Sequence, residues 1–166
     1  MHERPTAFKS ILVATDFSDT GAAALDEALL LASERDSAAL HVVYVAAPAG
    51  DGIELATPDG LKIMPASQAV QYLQSHVERA RVDAMKEGEP IESERVSVHV
   101  RAGVSEDEIV TLANDLDVSL LVLGTHGRRG FRALVLGSVA ESVVRSAKCA
   151  VLVVRPKAYP APEAES

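Results

Sequence analysis

The feature that most constrains the fold of this chain is a regular alternation of short apolar runs with longer amphipathic segments. The apolar runs are residues 11–14, 40–45, 96–100, 120–123 and 150–154. The segments between them place apolar residues at helical spacing, as Leu25, Ala28 and Ala32 do. Short strands that alternate with helices are typical of a parallel sheet with helices on both faces.

The order of the strands is predicted from their patterns of exposure. The run 40–45 is apolar almost throughout, whereas residues 96–100 alternate between apolar and polar. An edge strand is less buried than a central one, so the third strand is placed at the edge. The pattern favours the order 3-2-1-4-5 over the flavodoxin-like order 2-1-3-4-5. The expected fold is therefore α/β and Rossmann-like, with a five-stranded parallel sheet.

Residues 46–63 interrupt the alternation, because they are rich in Gly, Pro and Asp and show no periodicity. They are predicted to form an exposed excursion. A long helix is expected at residues 66–86. The length of the chain fits a single domain over residues 1–155, and the Pro- and Glu-rich tail at residues 156–166 is predicted to be disordered.

Charge and composition argue against several classes of partner. The formal net charge is -8, and an acidic chain repels nucleic acid unless it carries a concentrated basic face. No apolar run approaches the roughly eighteen residues that cross a bilayer. The N-terminus lacks the layout of a signal peptide. We expect a cytoplasmic protein that neither binds nucleic acid nor inserts into a membrane.

The predicted strand order places a crevice between strands one and four. These neighbours are followed by helices that leave on opposite faces, and ligands bind at such points of an α/β sheet. Thr15 and Asp16 follow the first strand, and a glycine-spaced loop from Gly124 to Ser138 follows the fourth. The unusual residues of the chain therefore meet where this kind of fold binds its ligand.

The spacing of this loop indicates an anion site. Gly124 and Gly127 are followed by nine residues and then by Gly137 and Ser138. Glycine lets the main chain come close to a ligand. Ser138 and Glu141 have the spacing of a capping box, and the first amides of a helix favour an anion. The hydroxyl of Ser138 can cap this helix and also donate to a phosphate oxygen.

Basic residues lie in the same loop of an otherwise acidic chain. Arg128, Arg129 and Arg132 carry planar guanidinium groups that suit phosphate oxygens, although each taken alone is equally well a solvated loop residue. His126 has the same two interpretations. Two other phosphate loops are excluded, because neither G-x-x-x-x-G-K-[ST] nor a G-x-G-x-x-G after the first strand is present.

Through this loop the chain resembles the universal stress proteins, whose ATP-binding subclass carries G-x-x-G, nine residues and then G-[ST]. The four fixed positions are all matched. The resemblance extends over residues 11–154, apart from residues 46–63. The chain departs from the family at Ala14 and Ala150, where proline is common, and the first of these positions borders the expected adenine site.

The resemblance implies a role for each matching position. Asp16 corresponds to the acidic residue near the ribose and base, and Val42 to the residue whose main chain contacts the adenine. The glycine loop corresponds to the contacts with the phosphates and ribose. The residues expected to bind ATP are Ala14, Thr15, Asp16, Val42, Leu123, Gly124, His126, Gly127, Arg128, Arg129, Gly137, Ser138 and Val139. The alternatives are a helix cap for Asp16 and a core residue for Val42.

No pattern in the sequence indicates catalysis. The five histidines lack metal-ligand spacing, and no G-x-S-x-G elbow is present. Asp16 can hold Mg²⁺ through bound ATP, since this ion needs only one or two carboxylates beside the phosphates. The sequence favours an ATP-binding regulatory module of the stress response over an enzyme. A slow nucleotide hydrolase or transferase, and a family member that does not bind ATP, stay open as alternatives.

The fifth strand, Ala150–Val154, is apolar on both faces yet lies at an edge of the predicted sheet. An exposed apolar edge favours pairing with another chain. We expect a homodimer formed by antiparallel pairing of two such strands, as the resemblance also implies. Coverage of this edge by the tail or by a helix is the alternative.

Overall fold

The fold has three layers, with a central mixed sheet between two layers of helices. A computed structural model of the chain describes residues 8–84, 89–125 and 136–156. The strands are β1 (Ser10–Ala14), β2 (Ala39–Ala49), β3 (Gly52–Thr57), β4 (Gly60–Met64), β5 (Val96–Ala102), β6 (Leu120–Gly124) and β7 (Ala150–Val154). The helices are α1 (Asp19–Ser33), α2 (Ala66–Ala84), α3 (Ser105–Asp115) and α4 (Ser138–Ser146), with a 3₁₀ turn at Ser93–Arg95.

Parallel ladders connect the five strands that the sequence predicts. β2 pairs with β5 on one side and with β1 on the other, β1 pairs with β6, and β6 pairs with β7. These strands therefore lie in the order β5-β2-β1-β6-β7. This agrees with the predicted order 3-2-1-4-5, and the third predicted strand lies at an edge of the parallel ladder.

The prediction of a five-stranded parallel sheet is nevertheless wrong, because the sheet has seven strands of mixed orientation. The two additional strands, β3 and β4, come from residues 46–63, which were expected to form an exposed excursion. β2 continues to Ala49, and its last residues pair antiparallel with β3. β3 in turn pairs antiparallel with β4, so the excursion is a hairpin that extends the sheet.

Two tight turns explain why this stretch forms strands. Gly50, with a φ of 55°, lies in the turn between β2 and β3, and residues 58–59 form the turn between β3 and β4. Between the turns, Ile53 and Leu55 alternate with partly exposed residues and are themselves buried. The sequence does contain this signal, but the alternating run is too short to stand out beside its Gly, Pro and Asp residues.

Apolar side chains cover both faces of the sheet, as the sequence predicts. α1 and α2 contribute Leu25 and Leu73 to the core on one face. α3 and α4 contribute Leu112 and Val143 to the core on the other face. Since α1 follows β1 and α4 follows β6, the helices after these two neighbouring strands leave on opposite faces. This is the point of an α/β sheet at which a ligand crevice is expected, between the carboxyl ends of β1 and β6.

The observed starts of α1 and α4 agree only in part with the caps predicted from the sequence. Ser18 caps α1 by accepting a hydrogen bond from the Gly21 amide at 3.1 Å, and this is one of the two candidate caps, Ser18 and Asp19. The capping box predicted at Ser138 is wrong. The N-cap of α4 is Gly137, which has no side chain to form a capping bond. Ser138 is already the first residue of the helix, so the helix begins one position earlier than the capping box requires.

Two predicted segments reach beyond the described residues. α2 is described to Ala84, and residues 85 and 86 of the helix predicted at 66–86 lie outside. Apart from Pro156, the tail predicted to be disordered also lies outside the described residues.

Arg95, just before β5, is connected by hydrogen bonds to the end of α1. Its guanidinium group donates hydrogen bonds to the main-chain oxygens of Ala32, Arg35 and Ala38. These carbonyls belong to the last turn of α1 and the loop after it, where a positive charge is favourable.

We expect Arg95→Met to lower the free energy of unfolding by about 1–3 kcal/mol, because three carbonyl groups lose their charged donor. Urea denaturation followed by circular dichroism measures this loss. Arg145→Met is the matched control, since Arg145 forms an exposed pair with Glu141 on α4. The control should change the stability by less than about 0.5 kcal/mol. Equal losses in the two variants would contradict the role given to Arg95.

Candidate functional site

The crevice is built around the first turn of α1. Gly124 ends β6 so close to this turn that a Cβ atom on it would lie 2.7 Å from the carbonyl oxygen of Thr20. Gly21 lies against the preceding loop, where its Cβ would lie 2.8 Å from Oδ1 of the Asp16 side chain. These two glycines allow the loop after β1, the start of α1 and the end of β6 to converge.

The carboxylate of Asp16 organises the turn between β1 and α1. Its Oδ1 accepts a hydrogen bond from the Ser18 amide at 3.0 Å and another from the Ser18 hydroxyl. The same hydroxyl oxygen caps α1 through the Gly21 amide. Asp16 is therefore not itself the cap of α1, which is Ser18, but it supports that cap through the Ser18 hydroxyl. These bonds also hold the carboxylate at the carboxyl end of β1.

The two ends of the glycine loop meet at this edge of the sheet. The Gly137 amide donates to the carbonyl oxygen of Thr125 at 2.7 Å, and the Thr125 amide donates to that of Val154 at 3.1 Å. Thr125 is buried, so this junction belongs to the interior of the fold. The other loop residues of the expected set, His126, Gly127, Arg128 and Arg129, lie outside the described residues, as does Arg132.

α4 begins at the same junction. Gly137 adopts an extended conformation and offers no side chain to cap the helix, while Ser138 is exposed. Ala140 and Val143 are buried and hold the helix on the sheet. The first amides of a helix have no acceptor within the helix, so they form a site that favours an anion.

Four more of the expected residues surround this junction. Thr15 and Leu123 are buried at the ends of β1 and β6, and the Thr15 amide donates to the Val43 carbonyl at 3.0 Å. Ala14 and Val139 are partly buried and pack on the apolar cluster beneath α3 and α4. The structure therefore brings these positions together with Asp16, Gly124, Gly137 and Ser138.

Val42 lies deeper than the other expected residues. Its side chain is fully buried, and it stands between Val13 of β1 and Val98 of β5 in the parallel ladder. The interpretation of Val42 as a core residue is thus confirmed. Any contact with a ligand has to involve its main chain, as the resemblance implies.

An aromatic cluster that the sequence analysis missed lies behind the Asp16 turn. It consists of Phe17, Tyr44, Tyr72 and His76. The Phe17 ring lies 5.0 Å from that of Tyr44, 5.4 Å from that of Tyr72 and 4.8 Å from that of His76, between ring centres. Phe17 has a φ of 62°, which is costly for a residue with a side chain. The ring contacts hold this strained residue, and with it the turn, in one conformation.

The sequence contains one signal for this cluster, namely that its few aromatic residues include one in the Asp16 turn and one in β2. The chain has only three Phe, three Tyr and no Trp, and half of these residues lie in the cluster. The Tyr44 hydroxyl also accepts a hydrogen bond from the Ala56 amide at 3.1 Å. The β3–β4 hairpin is thereby connected to the same cluster.

Burial lowers the pKa of three histidines of the fold. It lowers the pKa of His76, and the positive charge of Arg79 adds to the shift. Burial also lowers the pKa of His41 and of His99, on β2 and β5. Among residues 8–84, 89–125 and 136–156, no group of three or more His, Cys, Asp or Glu side chains is placed to hold a metal ion. No helix in that part of the chain is long and apolar enough to cross a membrane.

Known proteins share both the sequence pattern and the fold. The profile described as the Universal stress protein family matches residues 7–155. Universal stress protein MJ0531 of Methanocaldococcus jannaschii is 30% identical over 151 residues, which cover 89% of this chain and 82% of that protein.

Solved structures show the same architecture. A universal stress protein in complex with cAMP superposes with a TM-score of 0.63 at 24% identity, over 90% of this chain and 98% of that one. The universal stress protein from Archaeoglobus fulgidus in complex with dAMP superposes with a TM-score of 0.55 at 20% identity, over 89% and 98%. At these identities the superpositions establish a common fold.

The burial of His76 predicts a pH-dependent stability. Its pKa is lower in the folded chain than its ordinary value of about 6.5, so folding favours the neutral ring. Its contribution is complete above about pH 6.5 and is lost as the pH falls through the folded pKa. His76→Gln should therefore weaken the fall in stability between about pH 7 and pH 5, measured by thermal unfolding.

Arg79→Gln provides the control for this prediction. It should weaken the pH dependence by a smaller amount, because the charge of Arg79 is the lesser cause of the shift. A pH dependence that is the same in His76→Gln as in the unaltered chain would show that this residue does not titrate with folding.

Proposed function

The chain belongs to the universal stress protein family, and from that premise we propose that it binds an adenine nucleotide, ATP by preference. The proposed site is the crevice between β1 and β6. The observation that carries the proposal is the hydrogen bond from Gly137 to Thr125, at 2.7 Å. It brings both ends of the glycine loop to the edge where Asp16 and the start of α4 lie.

The ligands of two structural neighbours support an adenine nucleotide. One neighbour is a complex with cAMP and the other a complex with dAMP. These ligands share an adenine base, a sugar and a phosphate group. The preference for ATP comes from the loop, because Arg128, Arg129 and the start of α4 supply more anion-binding groups than a single phosphate needs.

The proposed contacts follow the family pattern. Asp16 binds near the ribose, and the main chain of Val42 lies towards the adenine. Gly127, Gly137 and Ser138, together with Val139 and the loop arginines, contact the phosphates and ribose. Glycine at position 137 matters most, since it directly precedes the amides of α4 and leaves room for the phosphates to approach.

A magnesium ion fits this site only together with the nucleotide. The described residues offer no cluster of three ligands, so the ion would be held by Asp16 and by phosphate oxygens. When bound, the ion would neutralise part of the phosphate charge. Oδ1 of Asp16 already accepts two hydrogen bonds from Ser18, which fixes the direction in which the carboxylate is presented.

We assign the chain a regulatory role in the stress response and no rapid catalysis. Oδ1 of Asp16, the acidic residue proposed at the nucleotide, accepts two hydrogen bonds from Ser18, so we give this carboxylate a positioning role and not a catalytic one. Any ATP hydrolysis is therefore slow. In this proposal the nucleotide state of a cytoplasmic protein selects its conformation or its protein partner.

We also propose that β7 pairs with its counterpart in a second copy of the chain. Among the described residues, β7 pairs only with β6, and its residues are at most partly buried. A free edge of this kind favours antiparallel pairing with an identical strand. The homodimer would cover the apolar residues Val151 and Val153.

Gly137→Val should abolish ATP binding, because a branched side chain there blocks the approach of the phosphates. Isothermal titration calorimetry measures the affinity, and circular dichroism checks that the variant folds. Ser138→Ala should weaken binding by about tenfold, the effect of losing one hydrogen bond to a charged group.

Ser146→Ala is the matched control, since Ser146 is also exposed but lies at the other end of α4. It should bind ATP as the unaltered chain does. ATP binding at unchanged affinity in Gly137→Val would show that this loop is not the site. Rapid release of phosphate from bound ATP would instead favour a hydrolase.

Val153→Pro should convert the dimer to a monomer. The Val154 carbonyl accepts a bond from Thr125, so the main chain of Val153 points away from β6, towards the free edge. Proline there removes an outward-facing amide while the ladder with β6 is kept. Analytical ultracentrifugation at micromolar concentration measures the change. A chain that is already monomeric before the substitution would refute the pairing.

A further inference from the structure

A pair of histidines that the nucleotide site does not use lies on the neighbouring strands β2 and β5. Nδ1 of His41 is 3.1 Å from Nε2 of His99, and the ring centres are 5.3 Å apart. In the register of the ladder, His41 stands opposite Ser97 and His99 stands opposite Val43. The two rings therefore meet diagonally across the strands, on the face that carries α3 and α4.

We propose that His41 and His99 together chelate one divalent ion of the later transition metals, the class of Ni²⁺, Cu²⁺ and Zn²⁺. Imidazole nitrogen suits these ions, with bonds of about 2.0–2.1 Å. Two nitrogen atoms on one ion at such distances, with an angle of roughly 90–110° between the bonds, lie about 2.9–3.4 Å apart. The observed separation of 3.1 Å falls in this range.

The backbone already holds the two ligands in place. β2 and β5 are paired over the whole stretch from Leu40 with Val96 to Ala46 with Ala102. His41 and His99 both lie within this ladder. Chelation then requires that the ring which donates this hydrogen bond carry its proton on its other nitrogen, and that the rings turn so that both lone pairs point to the ion. The main chain need not move, which limits the conformational cost of binding.

The histidine pair is open to water and has a polar neighbour. Both histidine side chains are only partly buried, so water molecules can complete the coordination. Ser97 lies opposite His41, is exposed, and offers a hydroxyl group to a coordinated water. The chain as a whole has a formal charge of -8, which favours the approach of a cation.

One nearby charge opposes the binding of a cation. Arg101 follows His99 by two residues and therefore lies on the same face of β5. Its guanidinium group lies 4.0 Å from the carboxylate of Asp115, at the end of α3, and this pairing offsets part of its charge. Arg101→Gln should consequently strengthen the binding of the ion.

The test is the affinity for Ni²⁺ alone, without nucleotide, measured by isothermal titration calorimetry at about pH 8, where imidazole is neutral. The chain as it exists should bind one equivalent at this site. His41→Gln and His99→Gln should each weaken that binding at least tenfold, since losing a ligand costs more than losing a residue that only supports one. The double variant should bind little more weakly than either single one, because a single imidazole does not chelate.

His76→Gln is the matched control, because His76 is also partly buried but lies in the aromatic cluster. It should leave the Ni²⁺ affinity unchanged. Thermal unfolding without metal shows whether each variant folds. As a second measurement on the unaltered chain, amide resonances broadened by bound Ni²⁺ should centre on residues 41 and 99.

Unchanged Ni²⁺ affinity in both single variants, or broadening centred on another part of the chain, would overturn the proposal. In that case the two rings share only a hydrogen bond that joins β5 to β2. Because no nucleotide is present, this outcome is independent of whether the crevice binds ATP.

Discussion

The crevice depends on the close approach of the first turn of α1 to the end of β6. At Gly124 and Gly21 a single added carbon would lie within 3 Å of an oxygen atom of Thr20 or Asp16. At Gly124 this oxygen belongs to the main chain, so the added carbon cannot be accommodated without moving the backbone, whereas at Gly21 it belongs to the side chain of Asp16. The missing side chain at Gly124 therefore lets the start of the glycine loop lie against the first turn of α1, and the missing side chain at Gly21 leaves space for the Asp16 carboxylate. Gly124, expected from the sequence to face a ligand, has a steric role in the fold as well.

The starts of the two helices that border the crevice differ in a way that matters for an anion. The start of α1 is capped by Ser18, and the carboxylate of Asp16 places a negative charge beside it. The start of α4 has Gly137 as its N-cap and no side-chain bond. Both helices present amides to the same edge, but only α4 combines uncapped amides with a glycine that lets the main chain come close. This asymmetry supports the proposal that the phosphates bind at α4 and the sugar on the Asp16 side.

The predictions for residues 46–63 and for the cap at Ser138 are wrong for a common physical reason. The hairpin at residues 46–63 is stabilised by burial of Ile53 and Leu55 and by the bond between Ala56 and Tyr44. The core residues that cover Ile53 and Leu55, and Tyr44 itself, lie outside residues 46–63. A search for periodicity within this stretch therefore cannot find them. The cap at Ser138 fails for a similar reason. The bond between Gly137 and Thr125 ties the chain just before α4 to the end of β6, and the helix starts one position earlier than the capping box requires.

The sequence by itself determined the layers, the order of the five parallel strands and the edge at which the unusual residues collect. Those features follow from the alternation of apolar runs and from the exposure of each strand, which are local properties of the chain. Only the tertiary structure decided that residues 46–63 extend the sheet, that Phe17 is held in a strained conformation, and that His41 meets His99. Each of these depends on contacts between residues far apart in sequence, whose distances are set when the sheet assembles.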